Sequence, residues 1–376
     1  MKKLLRVVLL IGLVALFSAV SVRMTAPKSK TGPAQTPLVL RMDMTAAQFG
    51  EENSFPNPML KKLFDLQSKQ DLQKPLNTLG LTSEQIRAKA AGLSALQAEH
   101  SSKNWHKILI KFGLWFIWLG VMFSLLRRGT VTSANRPWLL LVPVAVFGVL
   151  LGADPNPMGT VKDAIALYAK EGVIFPPRLI AFGVFMLLAI LANKLICSWG
   201  CQFGTLQDVL FQIMHGRKGS TGFKPIKLPF VLTNTVRILF LLIFTGVVFA
   251  TGFDFIEGID PFKIFKPQAI GWIGGIFVGL LLGTSLFMYR PWCHLFCPFG
   301  LFGWLGEKIS LFKIRIDRDA CINCKACVKA CPSNVMESYL ENKKPAPDCF
   351  SCAACIETCP TKAIDFSHKK PAQKQS

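Results

Sequence analysis

Eight of the chain's twelve cysteines fall between residues 321 and 359, and none precedes Cys197. Residues 321–332 read Cys-Ile-Asn-Cys-Lys-Ala-Cys-Val-Lys-Ala-Cys-Pro, and residues 349–360 read Cys-Phe-Ser-Cys-Ala-Ala-Cys-Ile-Glu-Thr-Cys-Pro. The pattern C-x2-C-x2-C-x3-C-P therefore occurs twice. It is the spacing with which bacterial chains hold two [4Fe–4S] cubes: three close thiolates bind one cube and the fourth cysteine reaches the other. The expected ligand sets are Cys321, Cys324, Cys327 with Cys359, and Cys349, Cys352, Cys355 with Cys331. Zinc asks for only four ligands, commonly as two separated C-x2-C pairs. Disulfides are not expected in a domain read as cytoplasmic.

The other four cysteines form two related pairs. Cys197-Ser-Trp-Gly-Cys201-Gln-Phe-Gly is matched 96 residues later by Cys293-His-Leu-Phe-Cys297-Pro-Phe-Gly, and Lys194 and Arg290 each stand three residues before the first cysteine. This is an internal repeat of the form basic-x2-C-x3-C-x-F-G. A spacing of i, i+4 predicts both thiols of a pair on one helix face. Three readings stay open for Cys197, Cys201, Cys293 and Cys297: a third iron–sulfur cluster, a redox dithiol or labile metal site, and plain packing of small buried side chains. Trp199 and Trp292 suit an interfacial aromatic belt. His294 is read as an exposed interfacial histidine, with metal ligation as the rival.

These motifs need elements to hold them, and the composition says which. The chain has 376 residues, of which 51% are hydrophobic and 17% charged, with a net charge of +21. Soluble domains carry nearer ~25% charged residues. Six apolar runs, at 4–22, 108–126, 138–153, 173–196, 231–252 and 269–289, are read as membrane-spanning helices. The third is short and contains Pro143. Lys and Arg collect at alternate ends (Lys2, Lys3, Arg6; Arg127, Arg128, Arg136; Arg217, Lys218, Lys224, Lys227; Arg290 onward), which predicts both termini in the cytoplasm of a bacterial inner membrane. The first run is taken as an uncleaved anchor, with a cleavable signal peptide as the rival. Gly271, Gly275, Gly279 and Gly283 put four glycines on one face of the last span, expected to serve internal packing rather than a dimer interface.

The expected fold is an α-helical membrane bundle of about six transmembrane helices, followed by a small C-terminal α+β two-[4Fe–4S] ferredoxin-like domain. Its divisions are an anchor at 1–23, an extracytoplasmic segment at 24–106, a five-helix membrane domain at 107–311, the ferredoxin domain at 312–368, and a tail at 369–376. Five prolines between Pro27 and Pro58 predict an irregular first half of the extracytoplasmic segment, and Thr82 with Gln85 predicts a capped helix start. Residues 312–316 and 363–366 are expected to be the outer strands of the ferredoxin domain, which is too small for a strong core of its own, so its clusters are expected to hold it together. Of five histidines, only His106 borders a span, so a membrane haem is not expected. Asp154, Asp254, Glu257 and Asp260 gather on the loops 154–172 and 253–268, as solvated loop residues or as acceptors of quinol protons. Basic charge spread between apolar runs argues against nucleic acid and for contact with anionic lipid.

Paired C-x3-C motifs on membrane helices, followed by the doubled cysteine run, resemble NapH/NosR-type membrane polyferredoxins over about residues 105–365. The family pattern is C-x3-C-P; the second copy keeps Pro298, whereas the first has Gln202. The resemblance implies electron transfer between the quinone pool (menaquinone or ubiquinone) or a cytoplasmic donor and a redox partner such as a periplasmic reductase or cytochrome. It allows a place as a quinol dehydrogenase subunit. NosR-like members carry a flavin-binding periplasmic domain, for which 24–106 is too short and shows no attachment motif. The rival function is an iron–sulfur redox sensor or a metalloenzyme assembly factor.

Overall fold

A computed structural model describes residues 2–25, 38–66, 68, 70–101, 104–152, 154–216 and 224–368. The tail at 369–376, and Pro27, Pro33 and Pro37 of the expected irregular stretch, lie outside the described residues. The helices are α1 (Lys2–Thr25), α2 (Ala46–Glu52), α3 (Asn57–Phe64), α4 (Ser83–Ser101), α5 (Trp105–Arg127), α6 (Arg136–Val142), α7 (Pro157–Glu171), α8 (Pro176–Ala192), α9 (Gln202–His215), α10 (Phe230–Thr251), α11 (Phe255–Ile259), α12 (Trp272–Thr284), α13 (Pro291–Leu295) and α14 (Pro298–Lys308). Strand β1 (Lys313–Ile316), helices α15 (Ala326–Ala330), α16 (Val335–Leu340) and α17 (Ala354–Thr358), and strand β2 (Ile364–Ser367) follow. The chain forms two compact units: Met1–Thr25, His106–Ile165 and Pro176–Ser376 make one, and Ala26–Trp105 with Ala166–Phe175 the other.

Among the described residues three helices, Lys3–Arg23, α5 and α10, are long and apolar enough to cross a membrane; the segments 136–150, 176–192 and 272–284 are apolar but shorter. The shortening has local causes. After α6 the chain continues as a π-helix over Pro143–Leu150, because proline has no N–H to give the α ladder and the register slips there. The run 173–196 stops being α-helical at Asn193, whose φ is +58°. The run 269–289 is α-helical only over Trp272–Thr284, after a tighter turn at Pro267–Ala269 and with its last turn closed at Ser285.

In the larger unit, α14 packs along α8, α10 lies against α13 and α14, and α9 against α6, α1 and the π-helix. Ten consecutive residues of α9, Gln202–Phe211, are buried. A helix buried all round is ordinarily apolar, yet this one carries Gln202, Thr205, Gln207 and Asp208. The expected strands form as β1 and β2, an antiparallel pair in register from Lys313↔Ser367 to Ile316↔Ile364. The cysteine-rich region also has packing support beyond any bound group. Ile314, Phe350 and Phe366 share one hydrophobic cluster with Trp115, Phe185 and Trp199, and Phe123 of α5 meets the rings of Phe312 and Phe366 at 5.0 and 5.8 Å.

The glycine face of α12 departs from expectation. A Cβ built at Gly271, Gly275, Gly279 or Gly283 meets nothing within 4 Å, whereas one at Gly274 comes 2.5 Å from Gly258 O. Internal packing uses the neighbouring position, one residue round the helix from the periodic set.

In the smaller unit, Thr82 and Gln85 form the expected reciprocal cap (3.0 and 3.3 Å), and Thr45 with Gln48 forms a second one. The stretch around Pro56 and Pro58 is helical rather than irregular, because Pro56 is the extended N-cap residue of α3 and Pro58 sits in its first turn, where proline is tolerated. Phe49, Leu60, Leu63, Leu76 and Ile86 make its core.

Candidate functional site

The two C-x3-C segments are built alike. Cys197 lies in a π-helical turn, Ile196–Gly200, and Cys201 caps α9 with φ −79°, ψ 114°. Cys293 lies in the short α13, and Cys297 caps α14 with φ −68°, ψ 115°. The thiols of a pair therefore do not share one continuous helix face: the helix breaks between them, and the second thiol of each pair stands at the N-terminus of a new helix. Cys201 Sγ accepts the Gly204 N–H at 3.4 Å. A helix N-terminus favours a thiolate. Gln202 does not disturb this geometry. It occupies the first helical position, where an N–H has no intrahelical partner in any case, and its side chain donates to Pro155 O at 3.1 Å.

The motif's last glycine has a steric reason. A Cβ at Gly204 would stand 3.0 Å from Cys197 O, and one at Gly300 2.8 Å from Cys293 O. Each new helix leans on the carbonyl of the first cysteine in its own motif.

The basic residue of each repeat crosses to the other repeat. Arg290 donates to Cys197 O and, at 2.9 Å, to Ser198 O; Lys194 donates to Gly300 O at 3.2 Å. Arg237, in α10, donates to Cys293 O at 3.2 Å. The cations are answered by two buried carboxylates. Asp208 accepts from Arg136 (2.9 Å to each oxygen), Arg290 (2.7 Å) and Tyr289 Oη (2.8 Å). Asp348 accepts from Lys194 and, at 3.3 Å, from Arg237. Burial opposes ionisation of Asp208, but Arg136 and Arg290 outweigh it and hold the carboxyl at about 2. The cations that hold Cys197 O and Cys293 O tie the two segments into one frame.

His294 is not exposed. It is 8% accessible, with Nδ1 3.7 Å from Asp348 Oδ2. Trp199 and Trp292 are core side chains, each 1% exposed, and Trp199 Nε1 donates to Ser351 O at 3.2 Å. The side chains belong to the site, not to an interfacial belt.

Cys321, Cys324, Cys327 and Cys359 line one open cavity together with Ile316 and Ile364. Cys349 and Cys355 of the second run are buried, as is Cys331 of the first. All twelve cysteines are free. Each run also bends at matching places: Asn323 and Lys325 in the first, and Ser351 and Ala353 in the second, all have positive φ between 46° and 64°. Non-glycine residues held there cost energy. Alternating right- and left-handed residues turn successive N–H groups into a concavity that suits an anionic group such as an iron–sulfur cluster. The thiolate donor set and this backbone both fit such clusters.

The second run is tied to the helices. Asn193 Nδ2 donates to Cys349 O (3.2 Å) and Ser351 Oγ (2.9 Å), and Glu307 accepts the Cys349 N–H at 3.0 Å. Sequence reading missed Asn193, Asp208, Arg237, Glu307 and Asp348. Arg237 did carry a signal, since a charge in the middle of an apolar run is a functional hypothesis by default.

The acidic loop residues are paired. Lys162 Nζ meets Asp163, Asp254 and Glu257 at 2.9, 3.1 and 2.6 Å, and Lys111 meets Asp154 at 3.1 Å. Asp163, Asp254 and Glu257 are close enough together for a metal, but the Lys162 ammonium already bridges them.

Residues 313–360 match the model of a 4Fe-4S dicluster domain, and residues 174–221 and 270–317 each match the model of a 4Fe-4S binding domain. Each of the latter contains one C-x3-C copy. YccM of Escherichia coli is 29% identical over 160 residues, which are 40% of this chain and 44% of YccM; the chain thus spans less than half the length of that relative. The ferredoxin-type protein NapH of Haemophilus influenzae is 30% identical over 216 residues, 55% of this chain and 67% of the relative. The methylamine utilization ferredoxin-type protein MauN of Paracoccus denitrificans is 29% identical over 233 residues, 55% and 79% respectively. No solved structure matches the chain.

Proposed function

Because the chain belongs to the family of ferredoxin-type NapH proteins, we propose that it is a multi-pass carrier of single electrons in the bacterial inner membrane, working between the quinone pool or a cytoplasmic donor and a redox partner. The observation that supports this reading is the lining of one cavity by Cys321, Cys324, Cys327 and Cys359, in a chain whose two C-x3-C segments have their backbone carbonyls held by buried cations. In the proposal Cys321, Cys324, Cys327 and Cys359 hold one cluster, and Cys331, Cys349, Cys352 and Cys355 a second. Cys197, Cys201, Cys293 and Cys297 hold a third. The six apolar segments span the bilayer with both termini on the cytoplasmic side.

When bound, such clusters supply one-electron carriage at potentials set by charge, hydrogen bonding and exposure. The chain's own work is to hold them and set those conditions. Lys194, Arg237 and Arg290 bring positive charge to the C-x3-C thiolates, and Asp208 and Asp348 fix the cations in place. Trp115 and Trp118 donate to Gly200 O (3.0 Å) and Trp199 O (2.7 Å), satisfying carbonyls that the break in the helix leaves free.

The test is composition followed by turnover. Anaerobically purified full-length protein should contain about twelve irons and as many sulfides; about eight would leave the C-x3-C thiols without a cube. Reconstituted in liposomes, it should oxidise a menaquinol or ubiquinol analogue with an artificial acceptor, and Cys293→Ser should impair this while leaving both C-terminal clusters assembled. Normal turnover in that variant would remove the relay role from the pair.

A further inference from the structure

The two C-terminal cysteine runs share a sequence pattern but not an environment. Of one set, Cys331, Cys349 and Cys355 are 5–6% exposed and Cys352 is half-buried; of the other, Cys327 is buried and Cys321 and Cys359 are half-buried. Cys324 is exposed, and its neighbour Ile322 is 64% exposed at the rim of the open cavity lined by Cys321, Cys327 and Cys359. The second run alone is bonded to the C-x3-C segments, and the bonds converge on the residue just before its first cysteine. Asp348, fully buried, accepts from Lys194, which stands three residues before Cys197, and from Arg237, which also holds Cys293 O. The next ring, Phe350, has Lys194 Nζ and the Arg290 guanidinium each 5.2 Å from its centroid. The same two cations that cross between the C-x3-C repeats therefore also touch the second run.

We propose that Asp348 is a positioning residue that locks the Cys331–Cys349–Cys352–Cys355 set against the C-x3-C thiols, making it the inner station of the relay, and that the Cys321–Cys324–Cys327–Cys359 set is the outer station, open to a water-borne redox partner. The proposal rests on the iron–sulfur reading above. It fixes an order, outer set to inner set to C-x3-C site or the reverse. Between stations a single electron leaves one as the next gains it, with no bond made or broken; at a terminal quinol two electrons leave one after the other and the two O–H protons are released to water, and a redox partner stands at the other end. Burial decides the assignment: a partner in water can approach the exposed Cys324 closely, whereas the inner set is reached through the outer set or through the helices.

The experiment uses full-length protein, purified anaerobically, reduced and studied by electron paramagnetic resonance with a water-soluble dysprosium chelate. One C-terminal cluster signal should relax much faster with the chelate, and that signal should be the one lost in Cys324→Ala; the shielded signal should persist. Asp348→Asn removes a negative charge beside the inner set, so it should raise the midpoint potential of the shielded signal and leave the fast-relaxing one unmoved. Lys194→Met should shift the same signal the opposite way. A side chain that served folding alone would lower stability without this opposed pair of shifts. Should Asp348→Asn fail to fold, the chelate experiment on the wild type and the Lys194→Met titration still decide the matter. Absence of iron would overturn the iron–sulfur reading itself. With iron present, equal relaxation of both C-terminal signals, or shifts in both or neither potential, would overturn the order and the role of Asp348.

Discussion

Asp208→Asn is the sharpest probe of the frame around the C-x3-C thiols. The carboxylate is 1% exposed and answers two guanidinium groups, Arg136 at 2.9 Å to both its oxygens and Arg290 at 2.7 Å, together with the Tyr289 hydroxyl at 2.8 Å. Asparagine preserves the volume but leaves two buried cations without their anion. Breaking a buried pair by removing one partner costs about 3–5 kcal/mol. Over the larger unit that is a fall in Tm of about 5–9 °C, taking an unfolding entropy near ~2 cal/mol/K per residue. Arg136→Met should cost less, about 1–2 kcal/mol, because Asp208 keeps Arg290 and Tyr289. The loss has a chemical consequence too. Arg290 holds Cys197 O and Ser198 O only while Asp208 orients it, so iron should be lost from the C-x3-C site before the C-terminal sets. With its carboxyl held at about 2, Asp208 contributes fully above about pH 4, and the contribution is lost as pH falls through that window toward 2. Tryptophan fluorescence melts and iron counts on the two variants provide the assay. A cost below about 1 kcal/mol for Asp208→Asn, with a full iron complement, would refute the claim that this carboxylate organises the site.

Three further outcomes follow from the same structure. Gly300→Ala places a Cβ 2.8 Å from a backbone oxygen and should cost about 1–3 kcal/mol, with loss of iron at the C-x3-C pair in a metal assay. Gly279→Ala meets nothing within 4 Å and should leave the melting temperature unchanged or raise it, by up to ~1 kcal/mol of helix propensity; a clear fall would reveal a partner helix on that face. Asp260 is raised to about 6, first by burial and then by Glu257 and Asp163, against the Phe262 N–H and Lys162. The native state thus binds more protons than the unfolded chain between about pH 4 and 6, so this carboxyl's effect is to lower stability as pH rises through that window. Asp260→Asn keeps the cap on the Phe262 N–H, made at 2.9 Å in the wild type, and should raise stability at pH 8 by roughly 2 kcal/mol with no gain at pH 4; equal melting curves at both pH values would contradict the assignment.

How far the sequence reached depends on how local each feature is. The Thr82–Gln85 cap and the strands at β1 and β2 are written in residues a few positions apart, and both form as expected. The helix break inside each C-x3-C motif is not so written. An i, i+4 spacing looks helical until the extended backbone at Cys201 and Cys297, and the close approach of Gly204 and Gly300 to carbonyls, are seen. Trp199 and His294 read as interfacial because amphipathic side chains near helix ends commonly are; here the second cysteine run covers them. Lys194 and Asp348 are 154 residues apart, and no local rule pairs them. The glycine face of α12 has the right period, but packing chose Gly274 instead, since only there does another backbone come near.

The buried charges explain why the repeat is crossed rather than merely duplicated. Two independent C-x3-C hairpins would each need a cation for their own carbonyls and a carboxylate for that cation, all inside an apolar bundle where every unpaired charge is costly. With Lys194 serving the second motif and Arg290 the first, neither motif is complete without the other. Asp348 then extends the dependence to the second cysteine run. A site assembled in this way forms only when both repeats and the C-terminal region are in place. The physical consequence is that Arg290→Met should disturb the first motif, whose carbonyls it holds, more than the second, in which it resides. Cysteine labelling rates at Cys197 and Cys201 compared with Cys293 and Cys297 in the iron-free variant measure this: faster labelling of the first pair supports the crossed frame, and faster labelling of the second would show that each motif stands on its own cation.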